Sequence, residues 1–155
     1  MTKSIDFIFD FGSPNAYLAH QLMSGIAART GATVNYIPCL LGGIFKATGN
    51  QAPMIAFGNV KGKLAAAQMN GQLDAYIEAG LKHMWEDGLK MDDPDVFAAA
   101  MTEAGFDGPA LLAQTQDPAV KERLVANTNA AVARGAFGIP TFFVGDEMFF
   151  GKDRL

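Results

Sequence analysis

Ile5 to Phe11, "IDFIFDF", alternates in part between apolar and acidic positions and is rich in aromatic and β-branched residues, which predicts a strand. Gly12-Ser13 breaks it, and Pro14 suits a first helical position, where a missing N–H costs nothing. From Ala16 to Ala28 the residues Tyr17, Leu18, Leu22, Met23 and Ile26 recur near helical spacing, and Gly31 closes the helix. "ATVNYIP", Ala32 to Pro38, predicts a second strand. Two strands and a helix in so short a span favour a parallel pair with a right-handed crossover.

Leu40 to Lys63 is Gly-rich and is expected to be irregular. Helical periodicity follows, first as one long helix in "LAAAQMNGQLDAYIEAGLKHMWEDG". "DDPDVFAAAMTEAG" has Asp93 as cap, Pro94 in the first turn and Gly105 as stop. "DGPALLAQTQ" predicts a short helix, and "DPAVKERLVANTNAAVARG" a longer one ending at Gly135. "GIPTFFVGDEMFFG" predicts a hairpin turning at Gly145-Asp146. "KDRL" predicts the first turn of a helix, with the expectation that a final helix follows. The order is β-α-β, a helical insert, then α-β-β, an α/β arrangement without internal repeats.

Composition narrows the function classes. The 155 residues suffice for a sizeable core, with 50% hydrophobic and 18% charged residues. A net charge of -4 with scattered basic residues argues against nucleic acid or an anionic membrane as partner. No apolar run reaches transmembrane length, and the opening "MTKSIDFIFDFG" lacks the pattern of a secretory signal. Cys39 is the only cysteine, which excludes an internal disulfide and a cysteine metal cluster, so no metal is expected and the cytoplasm is the default compartment.

Ser13 stands at the first turn of a helix, where free N–H groups and the macrodipole favour an anion. A serine hydroxyl is a poor nucleophile without an adjacent base, and neither His20 nor His83 is placed by local sequence to serve as one. Donation to an anion is the more economical role; helix capping alone is the competing one. Pro140 precedes a strand, and the arrangement suits a cis Ile139–Pro140 bond that turns the N–H and C=O of Ile139 outward toward an extended peptide.

"FDFGSPNAYLA", "LLGGIFKATGN" and "AFGIPTFFVGDEMFFGKDRL" together resemble the 2-hydroxychromene-2-carboxylate isomerase family, whose close relatives are kappa-class glutathione transferases. The resemblance implies a thioredoxin fold with a DsbA-type all-helical insertion: a thioredoxin-like domain over residues 1–45 and 117–155 and an insertion over 46–116. Thiol oxidoreductases of that fold carry CxxC at the helix start, where this chain has Ser13-Pro14-Asn15-Ala16. It also implies glutathione as cofactor, with Ser13 donating to its sulfur and holding it as thiolate, the reactive form. Asn50 matches the asparagine of the family's "GN" pair and Ile139 the residue that pairs with the tripeptide through its backbone. The segment before the final helix is implied to hold the γ-glutamyl end through Asp153, the best-matched residue, and the adjoining Lys152, where relatives often carry a small polar residue instead. As simpler alternatives, Asn50 is a turn residue and Asp153 a helix-terminal carboxylate.

Lys46, in the Gly-rich loop, is a candidate for the carboxylate of a small aromatic substrate; a solvated surface lysine is the alternative. Tyr76, Trp85, Phe45 and Met54 are candidates for pocket walls or plain core. "VKGKLAAAQMNG" enters the long helix directly where relatives carry a longer stretch, so a deletion or an absent segment is expected near Leu64 to Ala66. The implied activity is glutathione-dependent isomerisation of 2-hydroxychromene-2-carboxylates to benzylidenepyruvates in aromatic catabolism, by a homodimer. A kappa-type transferase and a non-catalytic glutathione-binding module are the alternatives.

Overall fold

The computed structural model describes residues 3–50 and 70–155. Its elements are β1 (Ser4–Phe9), α1 (Pro14–Thr30), β2 (Thr33–Pro38), α2 (Leu41–Thr48), α3 (Leu73–Leu81), α4 (Pro94–Glu103), α5 (Gly108–Gln114), α6 (Pro118–Ala133), β3 (Thr141–Val144) and β4 (Glu147–Phe150). They fall into two compact units, one holding residues 3–50 and 126–155 and the other residues 70–125.

In the first unit β1 and β2 are parallel, with Ile8 opposite Ile37. β3 returns antiparallel on the other side of β1, with Ile8 opposite Thr141, and β4 closes the hairpin. The sheet order is β2-β1-β3-β4. An interior strand covered on both faces must be apolar nearly throughout. Accordingly Ile5, Phe7, Ile8 and Phe9 are all buried. The Phe7 ring centroid lies 4.5 Å from that of Phe142 and 5.1 Å from that of Tyr36. Just beyond α6, Arg134 places Nη1 2.7 Å from the Asp6 carboxylate and its guanidinium 3.8 Å from the Phe143 ring centroid. That one side chain fastens the helix end to β1 and β3.

α2 corrects the expectation of an irregular Gly-rich segment after Leu40. Gly42 and Gly43 depress helix propensity, but neighbours hold the helix in place. A Cβ on Gly43 would lie 3.0 Å from Thr128 Cγ2 and 3.1 Å from Leu40 Cβ, tighter than ordinary side-chain contact, so glycine suits this close approach. The Leu40 N–H donates to Thr128 Oγ1 at 2.9 Å, and Ile44 is fully buried.

The described part of the second unit is helical. Its long predicted helix is corrected in two places. Gly71, at φ 71°, turns the chain at Asn70-Gly71, so α3 begins only at Leu73; a single π turn, Lys82–Glu86, follows it. The stretch before Asn70 lies outside the described residues, as does Met54. Asp93 caps α4 as expected, accepting the N–H groups of Asp95 and Val96. Tyr76 is core: it is 1% exposed, its ring faces Phe97 and Phe106, and burial pushes its phenol well above the ordinary pKa. Trp85 is half-buried and lines a cavity of about 160 Å³ with Met84, Leu89 and Met91. Among the described residues no helix is long and apolar enough to cross a membrane.

Candidate functional site

Ser13 is the N-cap of α1, in extended backbone geometry, with Oγ accepting the Ala16 N–H at 3.2 Å. Its side chain is buried, and its hydroxyl hydrogen goes to the Ile139 carbonyl oxygen at 2.9 Å. The Ile139–Pro140 bond is cis. The expected outward-facing Ile139 carbonyl is thus corrected: it points at Ser13, because a buried carbonyl needs a donor and the cap hydroxyl has one to give. Among the described residues the Ile139 N–H and the Asn15 N–H in the first turn of α1 donate to no protein acceptor.

Asn50 follows the end of α2. Gly49 adopts the left-handed conformation at φ 71°, and the N–H groups of both Gly49 and Asn50 return to the Phe45 carbonyl, a Schellman-like stop. This stop projects Asn50, whose Nδ2 donates to the Phe137 carbonyl at 3.1 Å. Ser13 and Asn50 therefore grip one loop, Phe137–Pro140, at two carbonyls. The same loop continues the contact at its far end, where the Gly151 N–H donates to the Pro140 carbonyl at 3.0 Å. That bond anchors Lys152–Arg154, a 3-10 turn where the sequence predicts a helix start, beside α1. Lys152 Nζ lies 2.6 Å from Asp153 Oδ1, and Asp153 is mostly exposed. Lys46 is exposed on the last turn of α2, with no hydrogen bond or ion pair among the described residues.

In the sequence, Asp10 stands out only as an acid within the opening strand. Its side chain is 1% exposed and holds the site loop from beneath. Oδ1 accepts the Gly12 N–H at 2.9 Å, Oδ2 accepts the Leu41 N–H at 2.8 Å, and its backbone carbonyl accepts the Ser13 N–H at 3.1 Å. Cys39 lies close by, buried; burial first, then the Asp10 charge, push its thiol up to about 12, against an opposing hydrogen bond with Thr128. That thiol has no nucleophilic character near neutral pH. Among the described residues no group of three His, Cys, Asp or Glu side chains could hold a metal ion.

Residues 59–155 match the family model of the DSBA-like thioredoxin domain. Fold and site together define a DsbA-like thioredoxin protein whose helix start carries serine in place of the cysteine pair. Two curated relatives named 2-hydroxychromene-2-carboxylate isomerase are 31% identical (Pseudomonas putida; 97% of this chain, 90% of the relative) and 30% identical (Sphingobium xenophagum; 100% and 95%). A solved structure of 2-hydroxychromene-2-carboxylate isomerase superposes with a TM-score of 0.81 at 27% identity, over 97% of this chain and 90% of that one. This chain belongs to the 2-hydroxychromene-2-carboxylate isomerase family. A glutathione S-transferase kappa 1 from Caenorhabditis elegans is a more distant relative, 24% identical over 97% of this chain and 87% of its own. The alignment with the Sphingobium relative runs over 186 positions against the 155 residues of this chain, so the relative carries internal residues without a counterpart here.

Proposed function

We propose that the protein is a glutathione-dependent isomerase acting on 2-hydroxychromene-2-carboxylate-like substrates in aromatic catabolism. The observation that carries the reading is the single hydrogen of the Ser13 hydroxyl, held at a helix N-terminus and directed at the carbonyl of the residue before the cis-proline. The donors fit a thiolate-bearing tripeptide. Ser13 rotates from Ile139 to the sulfur, Oγ keeps the Ala16 N–H, and the released Ile139 carbonyl and its N–H pair with the cofactor backbone. The exchange replaces the Ser13–Ile139 hydrogen bond, worth about 1 kcal/mol net, with a charge-assisted one of roughly twice the strength. The helix N-terminus and the Asn15 N–H favour the anion further.

Held by Ser13, Ile139 and Asp153, glutathione would supply a nucleophilic thiolate for reversible addition to a conjugated substrate, so that it would not be consumed. Asn50 keeps the Phe137–Pro140 loop in register for the tripeptide. Asp153 exchanges its exposed Lys152 partner for the cofactor's α-ammonium; a surface ion pair of this kind costs little to open. Lys46 receives the substrate carboxylate. The lone buried cysteine supports a reducing compartment, the cytoplasm, and family resemblance supports a homodimer.

Ultraviolet difference titration of glutathione at neutral pH, wild type against Ser13→Ala, tests the reading. Thiolate absorbance in the wild type that collapses in the variant supports it, and turnover of a chromene carboxylate completes it. Binding without a thiolate signal, or no binding, overturns it. The kappa-class relative supports a second reading, conjugation of electrophiles by the same thiolate; a stable glutathione adduct, with no chromene turnover, would select it.

A further inference from the structure

Asp10 is a fully buried carboxylate that the proposed chemistry does not use. Burying a charge is costly unless hydrogen bonds replace its water. Here the replacement is specific, because each oxygen takes one backbone N–H from a different segment. Oδ1 takes Gly12, in the loop that ends at Ser13, and Oδ2 takes Leu41, the first residue of α2. The Asp10 carbonyl takes the Ser13 N–H as well. The far end of α2 carries Asn50, which grips the loop that Ser13 also grips.

We propose that Asp10 is a positioning residue whose carboxylate yokes the Ser13 loop to the start of α2, setting where the Ser13 hydroxyl meets the cofactor sulfur. The inference rests on the glutathione reading for its catalytic consequence, while the yoke itself is a property of the ligand-free protein. Charge-assisted bonds to two amides need both oxygens as acceptors. An asparagine offers one oxygen and turns an NH₂ group toward the second N–H, so Asp10→Asn loses half of the yoke and Asp10→Ala all of it. Beside the yoke, Asp10 is the second cause, after burial, that raises the Cys39 thiol.

The experiment measures amide exchange at Gly12, Ser13 and Leu41 in ligand-free wild type, Asp10→Asn and Asp10→Ala. Core amides such as that of Ile8 serve as the internal reference. The same proteins are then titrated with glutathione across pH. Exchange at the three amides is expected to rise about tenfold or more relative to Ile8 in both variants. The pH midpoint of the bound thiol should rise, and kcat/KM for a chromene carboxylate fall about tenfold through kcat, with Asp10→Asn between wild type and Asp10→Ala. Unchanged exchange at Gly12 and Leu41 overturns the yoke. Faster exchange with an unchanged thiol midpoint and unchanged kcat leaves a purely structural contact and overturns the positioning role. A wild type without any thiolate signal overturns the glutathione reading instead, and exchange at Gly12 and Leu41 then decides the yoke alone. Should Asp10→Ala not fold, the isosteric Asp10→Asn supplies every readout.

Discussion

Ser13 Oγ and the Ile139 carbonyl oxygen stand 2.9 Å apart, joining the first turn of α1 to the cis-prolyl loop. Ser13→Ala deletes both this bond and the cap on Ala16. A lost cap costs about 1 kcal/mol and an orphaned buried carbonyl about as much again. Urea denaturation of the ligand-free protein should therefore show a loss of about 2 kcal/mol. A change below about 0.5 kcal/mol would mean that the bond carries no stability.

Gly43→Ala carries the opposite sign from the usual helix rule. Alanine in a helix interior normally gains roughly 0.5–1 kcal/mol over glycine. Here the new methyl would meet Thr128 Cγ2 at 3.0 Å and Leu40 Cβ at 3.1 Å. Overpacking costs about 1–3 kcal/mol, so a lower thermal midpoint is expected. The companion Gly43→Ala/Thr128→Ser, which removes one of the two obstructing groups and leaves Leu40 Cβ, should recover part of the loss; a rise in midpoint for the single variant would show the contact to be soft.

Cys39 should be inert in the native protein. Its thiol is pushed up to about 12 from an ordinary 9.0. The folded state then holds a proton that the unfolded state releases first. This contribution to stability is complete below pH 9.0 and drains away as the pH climbs toward about 12. A disulfide reagent at neutral pH should label the unfolded chain roughly a thousandfold faster than the native one. Comparable rates would place Cys39 outside the core.

Arg134 makes a predictable structural contribution. It pairs with Asp6, reaches the Gly145 carbonyl and stacks on Phe143. Arg134→Ala should cost about 1 kcal/mol, discounted for its partial exposure. Arg134→Lys should recover little, since an ammonium cannot stack and fork at once. Full recovery by lysine, measured by thermal unfolding, would reduce the clamp to simple charge.

What the sequence made legible is what neighbours in sequence decide. Ser13-Pro14 announces a helix start, Gly31 its end, and Gly145-Asp146 a hairpin, because caps and turns act over two to four residues. α2 escaped notice because Gly42-Gly43 argue against a helix locally, while Asp10 and Thr128, which hold it, lie 31 and 88 residues from their partners. Asp10 itself looks like the polar phase of an alternating strand until Leu41 is seen above it. Tyr76 and Trp85 present the same aromatic surface to a sequence reader, yet one is packed between rings and the other borders a cavity.

The sequence separation of 126 between Ser13 and Ile139 also sets an order of assembly. On the ribosome, β1, α1 and β2 emerge together and can pair early. The free edge of β1, with Phe7 and Phe9 beside it, then waits for β3 until the helical insert has been made. Such distant pairing forms slowly, and an open apolar edge invites other chains meanwhile. Truncations that remove the hairpin should therefore leave the nascent chain dependent on chaperones, with its hydroxyl in place and nothing across from it.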